Sequence, residues 1–477
     1  MRPALALLAI LLSLLVLESA RHGVVQERWQ VGETPVTTWA EPDAEGPHVV
    51  VAHGFAGSRQ MMQGYALPLA RAGYRVHVFD FEGHGRNPVP MSGDVTAING
   101  TTRRLIDQTG RVIDALGAGR PVALLGHSMA TDVLARLAAQ RGDIGPVVLV
   151  SAYSDAVTPE TPQRLLLVTG AWEVGLRDFA LEVLQQVDPE AEEGETARSG
   201  DVVRRAVAAP FSEHVSVLHS RVGRREAVSW LDAAYGRDSA VTIRPTGWAI
   251  LGLLAGIVML FPSAVRRLPE RPVATAGLSR RQVAVAAIAP ALLAPAVAVP
   301  LDPGLLPVLV ADYLALHLAV FGLAQLLLLR LWRVRLGPFD PAALGLLLAW
   351  SALFGLALDR YAANFLPTME RLWIIAALLP GTLPFMLADA RLGHGASVWR
   401  RSALRGGFLA SLGVAVALNP EELFFLALIA PVILLFFLVF GTMGRQASRR
   451  SGPLAPGVAL ALVLAWSLGV SFPLFNA

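Results

Sequence analysis

Ser128 lies in Gly126-His127-Ser128-Met129-Ala130, directly after the apolar run Val122–Leu125. A short apolar run leading into a glycine-marked serine reads as a strand, a sharp turn and a helix, with the serine exposed at the tip. Gly126 is expected to admit the strained bend, and small Ala130 to leave room for the helix, although the G-x-S-x-G pattern carries Gly at that last position. A serine hydroxyl becomes a nucleophile only when a neighbouring base takes its proton. The base in turn needs an acid that fixes its tautomer. The candidate bases are His53, His84, His127, His214 and His219, and the acids that follow strand-like runs are Asp155, Glu173 and, further on, Asp178. The chemistry such a set performs is attack on an acyl carbon. The absence of Cys excludes disulfides, thiolate metal sites and a cysteine nucleophile.

The elements that must hold these residues can be read along the chain. Val24–Val31 and Pro35–Ala40 suggest an antiparallel pair, and His48–Ala52 a buried strand that ends in His53-Gly54-Phe55-Ala56-Gly57-Ser58. Met61–Ala72 reads as a helix stopped by Gly73. Tyr74–Phe79 is the next strand, followed by Asp80-Phe81-Glu82-Gly83-His84-Gly85-Arg86, and a helix from about Thr101 to Leu116 leads to the Ser128 strand. Asp132–Gln140 continues the helix after the turn, and Val147–Ser151, Leu165–Thr169 and Val202–Ala208 are further strands. Asp188–Asp201 is acidic and contains Gly; it reads as a solvated loop rather than a metal site. Arg224–Tyr235 closes the series as a helix. Strands alternating with helices predict an α/β fold, a doubly wound and mostly parallel sheet covered on both faces.

Composition divides the chain. Apolar residues make up 54% of it, and the mean hydropathy of +0.51 exceeds that of an ordinary globular protein. Residues 1–20 hold an apolar run, Ala4–Leu17, that lacks a small-x-small cleavage site and reads as a transmembrane anchor or an uncleaved signal. Residues 21–245 have the makeup of a globular domain with acids in excess of Arg. Residues 246–477 are a polytopic membrane domain of about eight helices in which Arg exceeds the acids. The net charge of +3 therefore arises in loops between spans, which argues against a nucleic-acid surface. The Arg residues alternate. Arg266, Arg267, Arg271, Arg280, Arg281, Arg330, Arg333, Arg335, Arg391, Arg400, Arg401, Arg405, Arg445, Arg449 and Arg450 fall on one side, with only Arg360 and Arg371 in the other connections. The positive-inside rule then predicts a multi-pass protein of the cytoplasmic membrane with its N-terminus inside and the globular domain extracytoplasmic. Asp312, His317 and Asp389 lie in or near spans, Asn419-Pro420-Glu421-Glu422 in an outer loop, and Leu379–Pro384 is expected to break its helix. An anchoring bundle with satisfied polar residues and a functional pathway through Asp312 and His317 are both compatible with that pattern.

From His53 to Tyr235 the chain resembles the α/β-hydrolase fold, close to the serine-aminopeptidase (S33) or monoglyceride-lipase-like group. The likeness rests on HGF at 53–55, DFEGHG at 80–85, GHSMA at 126–130, the G-x-x-acid at 170–173 and the late His214. It implies the order Ser, acid, His, with Ser128 as nucleophile, Glu173 as the acid, Asp155 as its alternative, and His214 as base. It also implies an oxyanion hole from the backbone N–H groups of Phe55 and Met129. The family's D-x-R-G-H-G-x-S stretch departs here to Asp80-Phe81-Glu82-Gly83-His84-Gly85-Arg86-Asn87, in a loop that shapes the fold. The resemblance thus implies a serine hydrolase cleaving an ester, thioester or amide through an acyl-enzyme, needing no cofactor or metal. Only about a dozen residues separate the strands at 147–151 and 165–169, too few for the helical cap that many members insert. The pocket is therefore expected to be open or roofed by the membrane half, which favours a lipid-like or acylated substrate at the bilayer. An acyltransferase using the same triad, and a transporter or binding protein with a degenerate hydrolase domain, are the alternatives; the sequence leaves the oligomeric state open.

Overall fold

The computed structural model describes residues 2–94, 98–271, 273–302 and 304–476. Helix α1 (Arg2–Arg21) leads into the hairpin β1 (Val25–Val31) and β2 (Thr34–Ala40), whose tight turn uses Gly32 at φ +56°. There follow β3 (His48–Ala52), α2 (Gln63–Arg71), β4 (Arg75–Phe79), α3 (Arg103–Asp114), β5 (Val122–His127), α4 (Met129–Gln140) and β6 (Ile144–Val150). The region ends with β7 (Arg164–Gly170), α5 (Val174–Gln185), β8 (Thr196–Ser199), β9 (Val202–Ala209) and α6 (Arg221–Tyr235). The strands form one sheet in the order β1-β2-β4-β3-β5-β6-β7-β9-β8. From β4 to β9 every pairing is parallel; the hairpin at one edge and β8 at the other are antiparallel. The sheet is mostly parallel and doubly wound, as the alternation of elements predicts.

Alternate side chains of the central strand serve opposite faces. Val122 and Leu124 of β5 pack with Leu105, Ile113, Leu134 and Val183 beneath α3, α4 and α5. Ala123 and Leu125 pack with Tyr65, Leu69, Val228 and Leu231 beneath α2 and α6. All of β5 is buried, as a parallel strand covered on both faces requires. Each buried leucine contributes about 2 kcal/mol by removal from water. The rigidity that results is what holds the turn after β5 in place.

Two elements differ from expectation. Thr196–Ser199, inside the stretch expected to be a solvated loop, pairs with β9 as an edge strand. Val174–Gln185, which carries no sharp start signal, forms α5 and buries Ala180, Val183 and Leu184.

The helical half comprises α7 (Thr246–Val265), α8 (Arg280–Leu301), α9 (Ala311–Leu331), α10 (Pro341–Tyr361), α11 (Met369–Gly393), α12 (Val398–Leu418), the short α13 (Pro420–Leu423), α14 (Leu426–Ser451) and α15 (Leu454–Ser471). With α1, nine helices among the described residues are long and apolar enough to cross a membrane. The expected break at Leu379–Pro384 does not occur: α11 runs through Pro380 and Pro384. Glycines explain the close packing that supports it. A Cβ on Gly381 would lie 2.2 Å from the Ala315 carbonyl oxygen, and one on Gly322 would lie 2.3 Å from the Phe385 nitrogen. Helices α9 and α11 thus touch backbone to backbone, and such packing lets a proline-containing span persist.

The two ends of the bundle differ in character. At one end the Arg-rich loops bind one another, through Arg271 N–H to Arg450 O, Arg391 to Arg335 O and His394 to Val273 O. At the other end the helices meet the sheet domain. Arg86 forms a two-pronged ion pair with Asp359 (2.6 and 2.7 Å) and donates to Asn364. Arg371, 1% exposed, donates to the carbonyls of Gly83 and Gly85 on one side and Gly469 and Phe472 on the other. Beyond α15, residues 474–476 pair with the loop at 83–91 through Met91 N–H to Leu474 O (2.8 Å), Leu474 N–H to Gly83 O (2.8 Å) and Asn476 N–H to Met91 O (2.7 Å).

Candidate active site

Local backbone geometry presents Ser128. It sits at φ 53°, ψ −121°, between the end of β5 and the first residue of α4. A non-glycine residue there is strained, and it persists because the buried strand and helix on either side over-determine it. The strain falls on Ser128 itself; Gly126 is not among the left-handed residues. Gly126 supplies space instead, since a Cβ on it would lie 2.7 Å from Leu134 Cδ1. Fully buried Ala130, the second residue of α4, packs close against the turn.

The structure brings Ser128, His214 and Glu173 together. His214 Nδ1 lies 2.6 Å from Glu173 Oε1 and His214 Nε2 lies 2.8 Å from Ser128 Oγ. A carboxylate only accepts, so Nδ1 carries the proton and donates it to Glu173; Nε2 is then free to accept from the serine hydroxyl. The Glu173 side chain is 6% exposed. Burial acts to raise its carboxyl, yet hydrogen bonds from His214, the Gly170 amide (2.6 Å) and Ser151 Oγ (2.7 Å) outweigh burial and hold it below the usual carboxylate range. Glu173 therefore remains ionised beside the imidazole. Asp155 and Asp178 are both exposed and neither bonds to His214.

Two residues outside the expected triad complete the support. Ser151, at the end of β6 with φ +53°, turns its hydroxyl onto Glu173 Oε2. His127 donates from Nε2 to the His214 carbonyl (2.8 Å), holding the loop that carries the imidazole. Burial, and then the neighbouring His214, push His127 down to about 4, so it stays neutral in that role. A hydroxyl at the end of the strand beside the acid-bearing one, and a histidine next to the nucleophile, were the available signals.

The loop after β3 approaches the serine from the other side. A Cβ on Gly54 would lie 2.9 Å from Ser128 Cβ, so only glycine allows this approach, and Phe55 follows it directly. Met129 opens α4, and its N–H is one of the donors a helix start leaves unpaired. The loop is held from beneath. His53 accepts the Phe81 N–H at Nε2 (3.1 Å) and donates to the Gly54 carbonyl. His84 packs 5.2 Å from His53 and 5.6 Å from Phe55. Burial lowers both histidines, which keeps two neighbouring rings uncharged. Asp80 accepts the N–H groups of Arg59 (2.8 Å) and Arg86 (3.0 Å), tying the loops after β3 and β4 together.

The surroundings of the serine are apolar and shared with the helical half. The segment between β6 and β7 contains no helix among the described residues. The Phe55 ring lies instead 5.3 Å from Phe425, at the start of α14, and 6.4 Å from Phe475. Near the His214 and Glu173 loops, Trp172, Val215 and Phe211 (84% exposed) stand out into solvent. Among the described residues no group of three or more His, Asp or Glu converges as a metal site would.

Comparison with known proteins gives a family. The chain is similar to a predicted CIB-like hydrolase from Thermoplasma acidophilum (17% identity, 44% of this chain and 98% of that one, TM-score 0.35). It is similar also to a membrane phospholipase A described as a bacterial virulence factor (15%, 49% and 93%, TM-score 0.34). A serine hydrolase of carbazole degradation gives comparable figures (16%, 44% and 99%, TM-score 0.34). No curated protein matches. Residues 47–310, more than half the chain, match the family described as alpha/beta hydrolase fold. The chain belongs to the alpha/beta hydrolase fold family.

Proposed function

We propose that the protein is a membrane-embedded serine hydrolase that cleaves an ester, thioester or amide of a lipid-like or acylated substrate. The observation that carries this reading is the unbroken relay from Ser128 through His214 to Glu173. Ser128 Oγ attacks the acyl carbon while its proton passes to His214 Nε2. The oxyanion is received by the N–H groups of Phe55 and Met129, each such donor being worth about 3–4 kcal/mol in the transition state. Glu173 stabilises the imidazolium, which returns the proton to the leaving group; the neutral imidazole then takes a proton from the water that attacks and releases the acyl-enzyme.

A lipid-like substrate is favoured by where the serine lies relative to the helices. Phe55 packs on Phe425, and exposed Trp248 of α7 and Trp373 of α11 lie within the first turns at the domain-facing end of the bundle. Tryptophans at such a level mark a membrane–water boundary. The serine then opens near head-group height, beside the exposed apolar side chains of Trp172, Phe211 and Val215. The Arg-rich loops at the opposite end support an orientation with the hydrolase domain outside the cytoplasm and the N-terminus within. A fluorophosphonate probe applied to membranes carrying wild type, Ser128→Ala and His214→Ala tests the reading. Labelling of wild type alone supports an activated Ser128; labelling that survives in Ser128→Ala rejects it.

A further inference from the structure

A second concentration of charge lies away from the serine, where the domain meets the ends of α1 and α10. A cavity of about 330 Å³ there is lined by Arg21, Arg28, Arg59, Arg86 and Arg360. Three of these guanidinium groups face carboxylates. Arg59 lies 3.5 Å from Asp80, Arg86 is paired with Asp359, and Arg360 lies 2.9 Å from Glu18. The other two have no carboxylate within ion-pair distance among the described residues. Arg21 donates to the amide oxygens of Gln63 and Gln26 with its guanidinium 4.7 Å above the Trp39 ring. Arg28 projects from the edge strand β1, which leaves it exposed. The cavity thus has two positive charges in excess, and its lining also includes the buried Gln60.

Size and polarity narrow the ligand. At roughly 30 Å³ per water, the cavity holds the equivalent of about ten waters, more than a bare phosphate fills. Planar guanidinium forks match phosphate oxygens two at a time. One wall is apolar: Leu356 of α10 lines the cavity, and the exposed Leu353 continues the same helix face toward the bundle.

We propose that this cavity binds a phosphate-bearing anion larger than phosphate itself, its acyl chains, where present, lying along α10. The lipid form rests on the reading of α1 and α10 as membrane spans; the phosphate site itself does not.

The test uses the full-length protein in neutral detergent, with phosphatidylglycerol, phosphatidylcholine, glycerol phosphate and inorganic phosphate as probes. Native mass spectrometry reads lipid adducts, and calorimetry reads the soluble anions. The variants are Arg28→Gln, an exposed change that leaves the fold intact, Arg21→Gln/Arg28→Gln, and Arg103→Gln on the solvent face of α3 as control. Phosphatidylglycerol is expected to be retained at least about tenfold over phosphatidylcholine, with the preference reduced about threefold by Arg28→Gln and abolished in the double variant. Binding of glycerol phosphate or inorganic phosphate with the same arginine dependence, and without lipid retention, keeps the phosphate site and assigns it a soluble ligand. Equal retention of both lipids with no soluble anion bound overturns the proposal, as does a preference that Arg103→Gln reduces as much as Arg28→Gln does.

Discussion

Replacing Glu173 with Gln isolates what its charge does. Glu173 receives three donors, Gly170 N–H and Ser151 Oγ–H at Oε2 and His214 Nδ1–H at Oε1. An amide offers one acceptor oxygen and one donor NH2. With its oxygen toward Gly170 and Ser151, Gln keeps two of the three bonds and points its NH2 at His214 Nδ1. The ring must then accept at Nδ1 and carry its proton on Nε2, the tautomer that cannot take a proton from Ser128. The backbone and volume are nearly unchanged, so folding is preserved while kcat falls roughly 10⁴-fold, about 5.5 kcal/mol of transition-state stabilisation. The assay is turnover of a p-nitrophenyl ester by the purified full-length protein, with the fluorophosphonate labelling rate as a second readout. Asp155→Asn, at an exposed carboxylate without contact to His214, is expected to stay within about twofold of wild type. Activity of Glu173→Gln within tenfold of wild type would refute the reasoning, and so would a large loss confined to Asp155→Asn.

Other perturbations separate geometry from chemistry. Gly54→Ala places a Cβ against Ser128, and displacing the Phe55 N–H is expected to slow labelling about 100-fold or more, with a loss of stability of about 1–3 kcal/mol from the overpacking. Arg371→Leu strands four buried carbonyls; unfolding in detergent should show a loss of at least about 3 kcal/mol, and an unchanged melting temperature would contradict the packing. Acid should weaken the fold through His127. Its folded value, about 4, lies below the unfolded 6.5, so the unfolded chain binds more protons between those values. Stability is full above 6.5 and declines as pH falls toward 4, by up to about 3 kcal/mol. His127→Gln should flatten that part of the stability–pH curve, and an unchanged slope would count against the buried neutral ring.

The parts of the fold that the sequence makes legible are those dictated locally. Val122–Leu125 followed by a Gly-marked turn announces β5 and the Ser128 elbow without reference to anything distant. Glu173 and His214 stand after apolar runs that read as strands. What stayed hidden depends on partners far along the chain. Thr196–Ser199 is polar and acidic-flanked, and becomes a strand only because β9 offers an edge. Pro380 and Pro384 argue locally for a break, but Gly322 and Gly381 let α9 approach so closely that α11 continues. Ser151 reads only as the polar end of a strand until β6 and β7 align it with Glu173.

The pairing of residues 474–476 with the loop at 83–91 joins positions nearly four hundred apart. Closing so long a span comes late in any folding sequence. During synthesis the sheet domain can assemble long before α15 exists, with Gly83 and Met91 still lacking their partners. Arg371, which clamps the same loop, also arrives only with α11. The loop supports His53 and His84, and through them Phe55. The loop beneath Phe55 thus takes its final hydrogen bonds from segments that follow it in the chain by hundreds of residues.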